Sequence, residues 1–282
     1  MCANYIPVTS AERLLQFFGV VRDVDEPSRD VFPSGLAPFI RLAPDGTESG
    51  ELIRTVSDGI FRFVPDFIAK VDWARHTYNA RVETVDTKTT YKKAWAAGHR
   101  CIIPTEAIYE PNYETGSSVR WRIRKGNGEP MGIAGIYRSY QGPDGREMYA
   151  FSMVTVNADD HPFMRQFHAP GDEKRMVVIL EPEDFEGWLT CPVSEAKTRY
   201  CKQWHGELVG EPVPLPRRPK RMATPPANSI SLVELIAGID EAHRGTRASD
   251  TPLSKPRTKK SKPKAPNESL NPPGQGTTGD LF

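Results

Sequence analysis

The sequence contains no run approaching the roughly 20 consecutive apolar residues that a membrane helix requires, and its N-terminus lacks the basic-then-apolar pattern of a secretory signal. No membrane partner is therefore expected, and the chain reads as a cytoplasmic protein. Cysteine is scarce. The four residues, Cys2, Cys101, Cys191 and Cys201, form no C-x-x-C pair, which argues for reduced thiols and against a disulfide framework. Cys191, Cys201 and His205 could supply three zinc ligands, but no fourth stands at suitable spacing, so neither a metal nor another cofactor is expected. A charge excess of one sign is missing as well. With 37 Lys and Arg against 36 Asp and Glu the formal net charge is +1, so a polyanion would have to be met by a local patch, not by the field of the whole molecule.

Proline, by contrast, is abundant: 26 residues, placed so unevenly that they divide the chain. Residues 2–212 hold the patterned segments, enough for one sizeable core. A basic, proline-rich stretch at 213–228 reads as an extended linker. Ser231-x-x-Glu234 is a capping box, with Leu232, Leu235, Ile236 and Ile239 at helical spacing, which predicts a short amphipathic helix within 229–243. Residues 244–282 have the composition of a disordered tail, in which Lys255, Arg257, Lys259, Lys260, Lys262 and Lys264 come with no acidic residue between them. From Pro212 onward twelve Lys or Arg face six Asp or Glu, so this end carries +6 and the preceding body −5.

Within the body, Thr9 or Ser10 caps a predicted helix whose apolar stripe is Leu14, Leu15, Phe17 and Phe18. A proline-punctuated loop spans 27–38. A strand begins at Phe39-Ile40-Arg41-Leu42 and turns at Asp45-Gly46 into a return strand over 51–55. The aromatic-rich segment 59–67 is either a core strand or an exposed loop of stacking rings suited to single-stranded nucleic acid. Residues 78–85 read as extended and 89–97 as helical. A near-continuous apolar strand at 99–104 runs on into Ala107-Ile108-Tyr109-Glu110-Pro111, where Glu110 is either a solvated strand end or a carboxylate aimed into a pocket. Two hairpins over 119–157 lead to a loop at 158–174 containing His161 and His168, a buried-type strand at 175–180, and short helices at 182–189 and 194–200. Strands joined by hairpins, with a few helices around them, predict an α+β body and not a βαβ one.

Cys2 becomes chemically distinctive if the initiator methionine is removed. A free N-terminal cysteine carries an amine of ordinary pKa about 7.7–8.0 beside a thiol of about 8.5, both partly nucleophilic near neutral pH. Together they match an aldehyde: the amine condenses to an imine and the thiol closes on the imine carbon to give a thiazolidine. Taken alone, Cys2 favours the reading of an incidental small second residue.

Four motifs stand in order over residues 2–205: Cys2; Asn79-Ala80-Arg81-Val82-Glu83-Thr84; Cys101-Ile102-Ile103-Pro104 leading to Tyr109-Glu110-Pro111; and a histidine ahead of Arg175-Met176-Val177-Val178-Ile179-Leu180. In these the chain resembles the SOS-response-associated peptidase (SRAP) family. The resemblance implies a single α+β domain of curved, mostly antiparallel or mixed β-sheets with a barrel-like core, flanking helices and a basic DNA groove. It implies a monomeric abasic-site processing protein of the SOS and DNA-damage response, nucleoid-associated during repair. Such a protein removes its own Met1 and traps abasic sites in single-stranded DNA as a thiazolidine crosslink through Cys2. Carried over by motif, Cys2 is the nucleophile, Asn79 holds the N-terminal residue and the sugar, Glu110 is the acid/base that opens the deoxyribose, and His168 partners it at the ring oxygen. Arg81 and Arg62 would meet phosphates, with Phe61 or Phe67 stacking on bases. A lyase activity on the strand and a peptidase activity beyond Met1 are left open.

The chain departs from the family pattern at three places. Ala3-Asn4 replaces the usual Gly-Arg, removing a phosphate-binding arginine, and Phe61-Arg62 replaces Trp-Gly. Residues 169–174 separate His168 from Arg175, which leaves His161 as an alternative; His168 is preferred because the insertion can loop out after it. Two other readings compete. One is an N-terminal-nucleophile cysteine amidohydrolase, which would share only the Met-Cys start. The other is a non-catalytic DNA-binding module built on Arg120, Arg122, Arg124 and the tail. The terminal Asp280-Leu281-Phe282 resembles the acidic-apolar peptides that bind bacterial sliding clamps.

Overall fold

Among the described residues strand β5 (Arg100–Asn112) pairs with four others. The computed structural model describes residues 2–43, 52–63, 76–142 and 145–215. Phe67, the Asp45-Gly46 turn, the linker beyond residue 215, the 229–243 helix, the 244–282 tail and the Asp280-Leu281-Phe282 tip lie outside the described residues.

Antiparallel to β5 lie β1 (Asn4–Pro7), with Asn4 opposite Tyr109, and β6 (Val119–Lys125), its hairpin partner. β6 shares its edge of β5 with β7 (Met131–Gln141), which places Gly135 opposite Cys101, while β2 (Leu36–Leu42) joins on the β1 edge at Ile40. β3 (Arg54–Phe61) pairs with β2; β8 (Glu147–Asn157) pairs antiparallel with β7 and parallel with β3. The order β5-β7-β8-β3-β2 therefore returns to β5 and closes a five-stranded barrel. Closure removes the open edges a sheet would otherwise present. Outside the ring, β4 (Asn79–Arg81) adds in parallel to β8, β9 (Arg175–Val177) pairs with β8, β10 (Ile179–Leu180) with β7, and β11 (Leu208–Pro212) with β6. This is the expected mixed, mostly antiparallel sheet with flanking helices.

Among the described residues the α-helices are α1 (Ala11–Phe18), α2 (Lys92–Ala96), α3 (Phe185–Thr190) and α4 (Val193–Tyr200). Ser10 Oγ accepts the Arg13 N–H at 3.4 Å, and Gly19, at φ 64°, ends α1 in the left-handed turn that glycine adopts without strain. The buried stripe of α1 is narrower than expected: Leu14 and Phe18 face the core, whereas Leu15 is 56% exposed. Phe18 stacks on Phe185 of α3 at 5.5 Å. Among the described residues no helix is long and apolar enough to cross a membrane.

Three expectations about element bounds are revised. The prolines mislead at β2, which begins at Leu36 and includes Pro38; there β3 supplies the ladder, while β5 joins β2 only at Ile40, so the missing N–H is tolerated. The segments 99–104 and 107–111 are one strand running through Pro104 and Pro111. The helix predicted over 89–97 contracts to Lys92–Ala96, because turns such as Lys88 N–H to Thr84 O and Tyr91 N–H to Lys88 O precede it.

Candidate active site

The β1–β5 register carries the chain, two residues before Asn4, to the Glu110–Pro111 end of β5, and there Cys2 lies. It is 1% exposed, its Sγ 3.4 Å from the Asn4 carbonyl oxygen. Asn79 opens β4 and donates from Nδ2 to the Cys2 carbonyl at 2.8 Å. Behind it the buried Tyr91 hydroxyl donates to the Asn79 carbonyl at 3.0 Å, so the strand that presents Asn79 is held from both sides. Asn79 and Cys2, 77 residues apart, are thus brought together by a side-chain bond to a backbone carbonyl.

Glu110 is 2% exposed and its Oε2 stands 3.0 Å from His168 Nε2. Two backbone contacts deliver the histidine: its N–H donates to Pro111 O at 2.7 Å, and Phe167 bridges Asn112. His168 adopts φ 68°, a left-handed conformation that a side chain with a Cβ takes only when its surroundings enforce it. Lys174 contributes to that enforcement, donating from Nζ to His168 O at 3.2 Å and to Ala169 O at 2.8 Å. His168 Nδ1 is buried without a hydrogen-bond partner among the described residues.

His161 is placed quite differently. Its Nδ1 accepts the Phe163 and Met164 N–H groups at 3.1 and 3.0 Å, which assigns the proton to Nε2, and Nε2 then donates to Trp204 O at 2.8 Å. Both nitrogens are committed to backbone, and the ring stacks on His205 at 5.3 Å. Of the two histidines, His168 and not His161 stands at Glu110.

With Met1 in place, burial pushes the Cys2 thiol well above its ordinary range, and the nearby Glu110 charge adds to the effect. The positive N-terminus and the Tyr109 and Asn4 backbone act the other way without offsetting it. Tyr78, next to Asn79, is raised by burial, then by Cys2 and by Glu110, and its ring meets Phe61 at 5.8 Å. Tyr78, Tyr91 and Lys174 surround the site yet carry no sequence signal; a tyrosine before a short strand or a lysine in a loop reads as generic.

The expected DNA contacts divide. Arg81 is exposed, its Nη1 2.6 Å from Glu173 Oε2. Arg62 requires correction: it is 1% exposed, its Nη1 donates to Ser34 Oγ at 3.2 Å, and desolvation lowers its pKa. A phosphate has no access to it. Phe61 is corrected likewise. It is fully buried, with Tyr5 edge-on at 5.0 Å and Phe151 at 5.7 Å, because β3 ends inside the barrel wall where this ring fills the core; no face remains for a base. Of the three β6 arginines, Arg120 bonds Asp30 and lies over the Tyr109 ring, and Arg122 bonds Glu211, so two are already neutralised. A cavity of about 500 Å³ lined by Phe63, Thr90, Lys93, His99 and Arg138 lies apart from Cys2, Glu110 and His168.

A family model described as SOS response associated peptidase (SRAP) matches residues 1–214. The chain belongs to the SRAP family. Curated relatives are the abasic site processing protein YoqW of Bacillus subtilis (strain 168) and that of Bacillus phage SPbeta, each 24% identical over 194 residues, covering 67% of this chain and 80% of the relative. Among solved structures, a Bordetella bronchiseptica protein is 33% identical, with a TM-score of 0.67 over 76% of this chain and 100% of that one. A Bacteroides thetaiotaomicron protein at 19% identity shares the fold with a TM-score of 0.60, over 75% of this chain and 92% of that one. Residues from the four motifs come together at the end of β5, and β1, which seats Cys2, pairs with that strand of the barrel from outside the ring.

Proposed function

We propose that this SRAP protein processes abasic sites in single-stranded DNA, forming a covalent crosslink through Cys2 once Met1 is removed. The observation that carries the reading is the convergence of a position-2 cysteine, anchored by Asn79 through its carbonyl, on a buried carboxylate with a histidine 3.0 Å from it. The names of the curated relatives supply the substrate class.

Hydrolysis of the Met1–Cys2 bond consumes one water and leaves the amine on Cys2. An abasic deoxyribose is mostly a closed hemiacetal, so a proton must leave its C1 hydroxyl and another reach the ring oxygen before an aldehyde exists. Glu110 takes the first role and His168 the second, its Nδ1 uncommitted and its ring fixed by the backbone bond to Pro111. The Cys2 amine adds to the aldehyde and loses water to form the imine. The thiol then adds across the C=N bond, sulfur to carbon and its proton to nitrogen, closing the thiazolidine. The proton leaving the thiol is the one that nitrogen takes up. Asn79 holds the Cys2 carbonyl so that amine and thiol face the same carbon.

Mixing the purified protein, shown by mass to have lost Met1, with a single-stranded oligonucleotide bearing one abasic site tests this on a denaturing gel. A heat-stable shifted band is expected with wild type, and none with Cys2→Ser or undamaged DNA. A band that survives Cys2→Ser, or no band with wild type, would reject the reading.

A further inference from the structure

Arg81, the cation of the NARVET segment still exposed for a phosphate, is already engaged by a carboxylate. Its Nη1 lies 2.6 Å from Glu173 Oε2. Glu173 belongs to the segment 169–174 that separates His168 from Arg175, and three contacts fix it. Its Oε1 accepts from Arg175 Nη1 at 2.7 Å and from Asn157 Nδ2 at 3.3 Å, while the next residue, Lys174, donates its N–H to Asp159 Oδ1 at 2.8 Å. Arg175 is 1% exposed and, besides its bond to Glu173 Oε1, donates two bonds to Glu83 and two to Thr155. The two oxygens of Glu173 are thus divided, one spent on a structural arginine and one presented to a surface arginine.

We infer that Glu173 is a built-in competitor for the DNA phosphate at Arg81, setting the affinity and salt dependence of strand binding. This rests on the reading that the protein binds single-stranded DNA. A phosphate reaching Arg81 must displace the carboxylate, and the freed Glu173 then takes up a cation from solution. Counterions released from the strand are offset by that uptake, so the wild-type salt dependence is shallower than its phosphate contacts alone would give.

The substitution Glu173→Gln separates the two oxygens. With its amide oxygen in the Oε1 position it keeps the Arg175 and Asn157 donors, while its NH₂ in the Oε2 position cannot accept from Arg81. Binding of an undamaged fluorescent single strand is measured by anisotropy across a salt series for wild type, Glu173→Gln, Arg81→Ala and the double variant. At the lowest salt Glu173→Gln is expected to bind roughly two- to fivefold tighter, the range in which exposed ion pairs act. Its plot of log affinity against log salt should steepen by up to about 0.7, and both gains should vanish in the Arg81→Ala background. Affinity and slope equal to or below wild type, or a gain that persists without Arg81, would overturn the inference. Failure of the underlying reading shows up separately, as loss of the Cys2-dependent crosslink to abasic DNA.

Discussion

Two histidines seven residues apart in one loop are placed in opposite ways, and what separates them is which backbone groups surround each ring. His161 is saturated by two N–H donors and a carbonyl; His168 is held by its main chain, and its ring faces Glu110. Replacing His168 with alanine should lower the crosslinking rate by about 10²-fold or more, the low end of what general acid–base catalysis contributes, while leaving the urea midpoint near wild type. His161→Ala should do the reverse, costing about 1–3 kcal/mol of stability because buried backbone donors lose their acceptor. If His161→Ala crosslinks poorly at full stability, the assignment is wrong. The residue types and their order were readable in the sequence, Cys2, Asn79, Glu110 and His168 among them. Spacing favours His168 only through an insertion that can loop out after it; the surroundings that separate the two rings, Trp204 O and Pro111 O, carry no local signal.

Among the elements, β5 does most to position the site: one of its edges receives β1 and with it Cys2, and its end places Glu110. Its other edge is the β7 pairing, where Gly132 lies opposite Pro104 and beneath α3. A Cβ at Gly132 would press directly into the Phe185 ring and lie 3.3 Å from Ile102 Cγ2. Gly132→Ala is therefore expected to destabilise by about 1–3 kcal/mol through overpacking, read as a lower denaturant midpoint at unchanged slope. A midpoint equal to wild type would mean that α3 is free to shift off the barrel. The local hairpins were readable from turn residues and alternation, but the barrel was not derivable from them. Its closure needs β2 against β5 and β3 parallel to β8, pairings between residues 62 and 90 apart at Ile40–Ile102 and Ile60–Ala150, and no local pattern encodes those. The resemblance alone places Phe61 and Arg62 at the DNA; the run itself reads first as a core strand, the place where β3 puts Phe61.

Across the whole molecule, folding removes ionisable thiols from water. Cys2 and Cys101 are 1% and 0% exposed, and burial raises both well above the ordinary thiol range. A thiol whose folded pKa is raised contributes its full share of stability below the unfolded value of about 8.5. Above that pH the unfolded chain releases the proton and the folded one keeps it. The unfolded state then binds fewer protons, so the stability falls as pH rises, by about 1.4 kcal/mol per pH unit for each such thiol until the folded pKa is reached. Cys101 gives the cleaner test because it lies in the barrel wall, beneath Gly135, and takes no part in the proposed chemistry. Cys101→Ser cannot titrate in this range. Its baseline stability will differ from wild type, but its decline between pH 8.5 and 10, followed by urea unfolding, should be shallower by about one proton's worth. Parallel declines for the two proteins would show that the Cys101 thiol ionises in place, which a closed barrel with this residue inside its wall does not permit.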